Sequence, residues 1–231
     1  MDLGYANARA VVTGGTKGMG RAIAEVLAEE GASVAVLARG QEALDETVAA
    51  LAALGSPDPV GIRVDVGVAS QIDSAFAELG ERWGSINSLI NTVGPFAGTF
   101  EELTDEDWDS AFNLGTMAAV RAIRAALPLL RAAEWARIVN FAAHSIKRQS
   151  PRLVAYTASK AALVSTTKNL AKSLGSDGIL VNTVSPGTFV TDSFSGTLRP
   201  ILEAEGLDPP DPTDVMTWVG NTFGHPADLG R

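Results

Sequence analysis

Short β-branched runs alternate with longer alanine- and leucine-rich stretches of helical period along most of this 231-residue chain. The pattern predicts strands at 10–13, 33–38, 61–64, 88–92, 137–142 and 179–184. Helices are expected at 18–30, 41–54, 69–83, 105–130 and 154–174, with the fourth interrupted. The runs Arg137-Ile-Val-Asn-Phe-Ala and Ile179-Leu-Val-Asn-Thr-Val are nearly continuous in apolar residues, as strands covered on both faces should be. Strand–helix alternation of this kind implies a parallel sheet with helices on both sides, an α/β doubly wound three-layer sandwich. A single domain spanning residues 1–231 is expected, since such folds often exceed about 200 residues undivided.

Composition removes several function classes. A formal net charge of −9 argues against nucleic acid or an anionic membrane as the main partner. With no cysteine, disulfides, thiolate catalysis and cysteine-bound zinc are excluded, and two histidines, His144 and His225, are too few and too separated for a histidine-rich metal site. The first residues carry no basic-then-apolar signal and no apolar run reaches a membrane-spanning length, so a cytoplasmic protein is expected. The stretch from about 187 to 224, rich in Pro, Asp and Gly, is expected to form a lid over a substrate.

The first predicted strand runs into Thr13-Gly-Gly-Thr-Lys-Gly-Met-Gly20. Glycines at 14, 18 and 20 let backbone approach a pyrophosphate at a helix N-terminus. A tight turn with no ligand is the plainer alternative, but placement after the very first strand favours a nucleotide. The second strand ends on Ala38 and Arg39, where an NAD site usually carries a carboxylate for the ribose. Two cations, Lys17 and Arg39, and no carboxylate point to a 2′-phosphate and hence NADP; two solvated surface cations are the alternative.

Tyr156 and Lys160 stand four residues apart in a predicted helix, so phenol and amine share a face. A free tyrosine, with a pKa of about 10, is a poor acid at neutral pH, and a nearby ammonium is expected to lower that value. The pair could then give a proton to an oxygen becoming an alkoxide.

With these residues in view, the chain resembles the short-chain dehydrogenase/reductase family over practically its whole length. Thr13-Gly-x-x-x-Gly-x-Gly20 matches the family's cofactor turn, including Gly14, Thr16, Lys17, Gly18, Met19 and Gly20, and Tyr156-x-x-x-Lys160 matches its catalytic pair. Asp65-Val66 looks like the pair that holds the adenine, and Asn91-Thr-Val-Gly94 is similar to the family's Asn-Asn-Ala-Gly. Asn113 falls where the family places an asparagine that supports a proton-relay water. Ser185-Pro186-Gly187 looks like the turn beside the nicotinamide, with Phe189 offering backbone to the carboxamide and Thr191 a hydroxyl to the cofactor. The resemblance implies a Rossmann-type fold, a homodimer or homotetramer, and reversible hydride transfer between NADPH and a carbonyl. In that reaction Tyr156 would be the general acid, and Lys160 would lower its pKa and bind the ribose.

Two departures stand out. The family's carbonyl-polarising serine lies 13 residues before the tyrosine, and here that position is Ala143, which has no hydrogen to donate. Ser145, two residues on, is the expected replacement, with His144 a second candidate. If neither serves, the chain is a dinucleotide-binding protein with little or no redox activity. Secondly, family members continue past Gly224-His-Pro-Ala-Asp-Leu into a helix and an edge strand, which are expected to be absent from this chain. Pro95, Phe96, Phe189, Phe194, Leu198, Ile201, Met216 and Trp218 are expected near the substrate, favouring a bulky apolar ketone, although several of them could instead pack the lid. Lys147, Arg148 and Arg152 form either a solvated basic loop or a landing place for the phosphate of a carrier or coenzyme A thioester.

Overall fold

A computed structural model describes residues 3–95 and 97–187 in full, with the backbone of 188–189 and 223–224. Six strands, β1 (Arg9–Thr13), β2 (Ser33–Ala38), β3 (Val60–Arg63), β4 (Ser88–Asn91), β5 (Ala136–Phe141) and β6 (Ile179–Val184), form one sheet in the order β3-β2-β1-β4-β5-β6. Every pairing in that sheet is parallel.

In β1, β2 and β4 successive residues point alternately to two cores, which is why those strands read as apolar throughout, whereas β6, expected to be covered on both faces, leaves Leu180 and Asn182 exposed. Val11, Leu37, Leu89 and Ile138 face α3 (Ala69–Trp83) and α5 (Ala118–Arg131). Their neighbours Ala10, Val12, Val36 and Ile90 face α1 (Gly18–Glu29) and α2 (Gln41–Ala53). The three layers predicted from the alternation are therefore present.

The interruption expected within 105–130 is a π-helical turn, Asn113–Met117, between α4 (Asp105–Phe112) and α5. Thr104 caps α4 through a reciprocal bond with Asp107, and three acidic residues in its first turn complement the helix dipole. The π turn lies against α6 (Val154–Ser173): Thr116 Oγ1 donates to Ser159 O at 2.7 Å, and a Cβ at Gly115 would collide with Ser159 Oγ. Close approach of the two helices thus depends on Gly115.

The strand order reverses between β1 and β4, which opens a crevice at their carboxyl ends, where doubly wound folds bind ligands. Of the segment expected to form a lid, the structure describes only its two ends past Gly187. These pair as β7 (Thr188–Phe189) and β8 (Phe223–Gly224), in parallel. The intervening positions, including Thr191, Phe194, Leu198, Ile201, Met216 and Trp218, lie outside the described residues, as does Phe96. Among the described residues, no helix is long and apolar enough to cross a membrane, and no group of His, Asp or Glu could hold a metal ion.

Candidate functional site

The crevice is floored by the glycine turn. Gly14 (φ +73°) and Gly18 (φ +54°) take left-handed backbone that other residues resist, turning the chain from β1 into α1. Lys17 precedes the helix in extended conformation without capping it, and no acidic side chain sits in the first turn. The opening amides of α1 are thus left for an anion. The turn is packed tightly: a Cβ at Gly20 would collide with Gly14 O, and one at Gly14 would lie 3.0 Å from Thr92 Oγ1. Thr92 in turn donates to Thr13 O at 2.6 Å, fastening the turn to the end of β4. This cradle fits a diphosphate closely bound to backbone. Thr16 and Met19 are half-buried beside it, while Lys17 and Arg39 are exposed, with Ala38 in place of a carboxylate at the end of β2.

Beyond β3, Val66 is buried in the core and Asp65 is half-buried, its carboxylate accepting from Gly67 N at 2.9 Å. The side chain of Asn113, a residue expected to support a proton-relay water, is directed to this loop. Its Nδ2 donates to Gly67 O at 3.2 Å, and its Oδ1 accepts from Arg121 Nη1 at 2.5 Å. The part of the π turn that meets α6 is Gly115 and Thr116.

Tyr156 and Lys160 lie in the first two turns of α6 and converge on Gly94. A Cβ built there would be 3.5 Å from both Tyr156 Cε2 and Lys160 Cε, and 3.7 Å from Lys160 Nζ. The predicted shared face is therefore present, but its electrostatics differ from expectation. Lys160 is only 1% exposed, and its Nζ donates to Val93 O at 2.8 Å and Phe141 O at 2.7 Å. Burial pushes its pKa down to about 8, and burial likewise pushes the Tyr156 phenol above its ordinary value. The expected lowering of the phenol is thus overturned in this structure: desolvation is the dominant influence on the tyrosine, and the amine is committed to two carbonyls.

A buried polar chain supports this pair. Asn91 and Asn140 are cross-strand neighbours on β4 and β5, and Asn91 Nδ2 donates to Asn140 Oδ1 at 2.8 Å. Asn140 Nδ2 donates to Thr167 Oγ1 of α6 at 2.9 Å, and Thr13 Oγ1 reaches Asn91 Oδ1 at 3.4 Å. The side chain of Asn91, expected at the cofactor, is thus spent inside the protein.

At the end of β5, Ala143 is buried and extended. His144 is exposed, and its backbone N–H donates to Pro186 O at 3.0 Å, joining this loop to the Ser185-Pro186-Gly187 turn. Ser145 is half-buried in a 3₁₀ turn, where its Oγ accepts from Thr157 Oγ1 at 3.1 Å. Lys147, Arg148 and Arg152 lie nearby, all three exposed.

Thr92, Thr157, Arg121 and Gly115 were not singled out by sequence. Asn140 carried a visible signal, a polar amide within an apolar strand run. The others depend on contacts between distant segments.

Strand order, glycine turn and crevice together define a dinucleotide-binding, doubly wound domain. The chain belongs to the short chain dehydrogenase family, whose model matches residues 8–199. It is 32% identical over 209 residues to the oxidoreductase YvrD of Bacillus subtilis, covering 90% of this chain and 78% of that protein. L-sorbose reductase from Gluconobacter frateurii, solved with NADPH and L-sorbose, superposes with a TM-score of 0.91 at 29% identity, covering 100% of this chain and 89% of that one. A variant of actinorhodin polyketide ketoreductase, solved with NADPH, gives a TM-score of 0.86 at 29% identity, covering 97% and 87%.

Proposed function

We propose that the protein is an NADPH-dependent reductase of a ketone, with Tyr156 as proton donor and Ser145 supplying the hydrogen bond that Ala143 lacks. The observation carrying this reading is the meeting of Tyr156 and Lys160 over Gly94, at the mouth of the crevice. Two solved neighbours named as reductases hold NADPH, and Lys17 and Arg39 supply positive charge with no carboxylate at Ala38.

The residues divide the work. The glycine turn and opening amides of α1 hold the diphosphate, Lys17 and Arg39 meet the 2′-phosphate, and the Asp65-Val66 loop receives the adenine. When bound, the nicotinamide supplies a hydride. Tyr156 delivers its proton to the carbonyl oxygen as charge builds there. Its raised pKa keeps the phenol protonated at neutral pH, the form that reduction needs and alcohol oxidation does not. Lys160, pushed down to about 8, sits close enough to neutrality to restore that proton. Thr157 donates to Ser145, which leaves the Ser145 hydrogen available to the substrate oxygen.

Ala143 supports a second reading, in which the domain binds the dinucleotide with little turnover. Following NADPH oxidation with sugar-like, apolar and thioester-linked ketones separates the two. Turnover abolished by Tyr156→Phe supports the enzyme. NADPH binding without turnover, indifferent to that substitution, supports the second reading.

A further inference from the structure

We propose that Arg121 is a positioning residue for the cofactor, acting through Asn113 and Gly67 to hold the loop that receives the adenine. The inference rests on the NADPH reading above, and it gives Asn113 a task other than supporting a proton relay.

Two segments distant in sequence meet in this cluster, the loop after β3 and the run from the π turn into α5. Arg121 Nη1, on α5, donates to Asn113 Oδ1 at 2.5 Å and to Gly67 O at 3.4 Å. Asn113 Nδ2, from the π turn, donates to the same carbonyl at 3.2 Å. Gly67 N donates in turn to Asp65 Oδ1 at 2.9 Å, so the peptide before Gly67 holds the carboxylate while the peptide after it is held by Asn113 and Arg121. Space is limited as well: a Cβ at Gly67 would lie 3.1 Å from Asn113 Nδ2 and 3.1 Å from Asp65 Oδ1. Gln71 Oε1 accepts from Asp65 N at 2.7 Å and secures the other side of the loop.

Chemistry explains the choice of residues. A carbonyl with two lone pairs accepts from two donors, and the Asn113 amide, offering both a donor and an acceptor, bridges guanidinium to carbonyl. One fixed guanidinium thereby sets both the π turn and the adenine loop. A π turn breaks the ordinary helical ladder, and this cluster gives the Asn113 side chain defined partners there. The group touches neither the reacting carbonyl nor the proton donor, so its influence should fall on cofactor affinity and not on the chemical step.

The test measures binding of NADPH and of adenosine 2′,5′-bisphosphate, which carries only the adenine half, to wild type and to Arg121→Met and Arg121→Lys. Arg121→Met is expected to weaken both ligands about tenfold, the loss of one good hydrogen bond to a charged donor. It should raise KM for NADPH similarly while kcat at saturating cofactor stays within about twofold, and Arg121→Lys should recover part of the affinity. Should Arg121→Met fail to fold, Asn113→Ala carries the same expectation for the adenine fragment. Fragment affinity unchanged while the melting temperature drops would make the cluster merely structural and overturn the inference, leaving the NADPH reading intact. A fall in kcat at constant KM would overturn it equally, by returning Asn113 and its partner to the chemical step. A wild-type protein that binds neither ligand would remove the cofactor reading itself, and this inference with it.

Discussion

Thr157 Oγ1 donates to Ser145 Oγ across 3.1 Å, which ties the loop after β5 to the same first turn of α6 that carries Tyr156. Position 157 is buried and position 145 half-buried, so the bond is shielded from competing water. Under the proposed mechanism Ser145→Ala should lower kcat about a hundredfold, the usual effect of removing one oxyanion donor. Thr157→Val keeps the shape but frees Ser145 to turn, and a smaller loss of about tenfold is expected. Ala143→Ser placed in the Ser145→Ala background should restore much of the rate. Steady-state kinetics on the four proteins decide the matter. A Ser145→Ala enzyme with wild-type kcat removes Ser145 from the mechanism.

Lys160 makes stability depend on pH in a direction that can be measured. Its pKa falls from 10.5 unfolded to about 8 folded, because burial disfavours the ammonium. Between those values the unfolded chain binds more protons, so this group adds stability as pH rises from about 8 toward 10.5. The full gain is on the order of 3 kcal/mol, at about 1.4 kcal/mol per unit. Tyr156 acts oppositely: its raised folded pKa means that stability falls once the unfolded phenol ionises, near about pH 10. The useful window is therefore about pH 8 to 10. Urea midpoints of the cofactor-free protein should rise across it relative to Lys160→Met. Parallel curves for the two proteins would mean that the amine is not desolvated as described.

The Thr13–Asn91–Asn140–Thr167 chain predicts a cost for breaking its centre. Asn140 is fully buried, and among the described residues no buried side-chain nitrogen or oxygen lacks a partner. Asn140→Leu strands Asn91 Nδ2 and removes the donor to Thr167. About 2–3 kcal/mol of stability should be lost, one unsatisfied buried polar group plus the misfit of a branched side chain. Because α6 is the far anchor, Tyr156 and Lys160 lose support, and kcat should fall in the same variant. An Asn140→Leu variant as stable as wild type would show that water or rearrangement replaces the chain.

Much of this architecture is legible in the sequence, for a reason visible in the residues. The apolar run at 179–184 marked a strand, observed as Ile179–Val184, but as the last strand of the described sheet it is covered on one face only, with Leu180 and Asn182 exposed. Glycine at 14, 18 and 20 is likewise a local demand, met by the left-handed backbone at Gly14 and Gly18 and the close approach at Gly20. The site was less legible because its energetics are set by tertiary contacts. Spacing placed Tyr156 and Lys160 on one face, yet nothing in the spacing indicated that Val93 O and Phe141 O would claim the amine. Asn113 shows the same limit: a residue type in a suitable place, whose partner Gly67 comes from a distant loop, with Arg121 eight residues further along the helical run.

Arg39 provides the sharpest test of cofactor preference, since it is exposed and its replacement should leave the fold alone. Arg39→Asp would put a carboxylate at the end of β2, where it can accept from the ribose hydroxyls of NADH and repel a 2′-phosphate. The ratio of kcat/KM for NADPH over NADH should fall about a hundredfold, the scale of one or two charge-assisted hydrogen bonds. Lys17→Ala should move the ratio the same way by a smaller amount, since its ammonium is a single exposed charge. Both effects should shrink with added salt, because the groups are exposed and screened over about 10 Å at 0.1 M ionic strength. If neither substitution changes the ratio, the two cations are solvated surface charges, and the preference for NADPH has to be withdrawn while the family assignment stands.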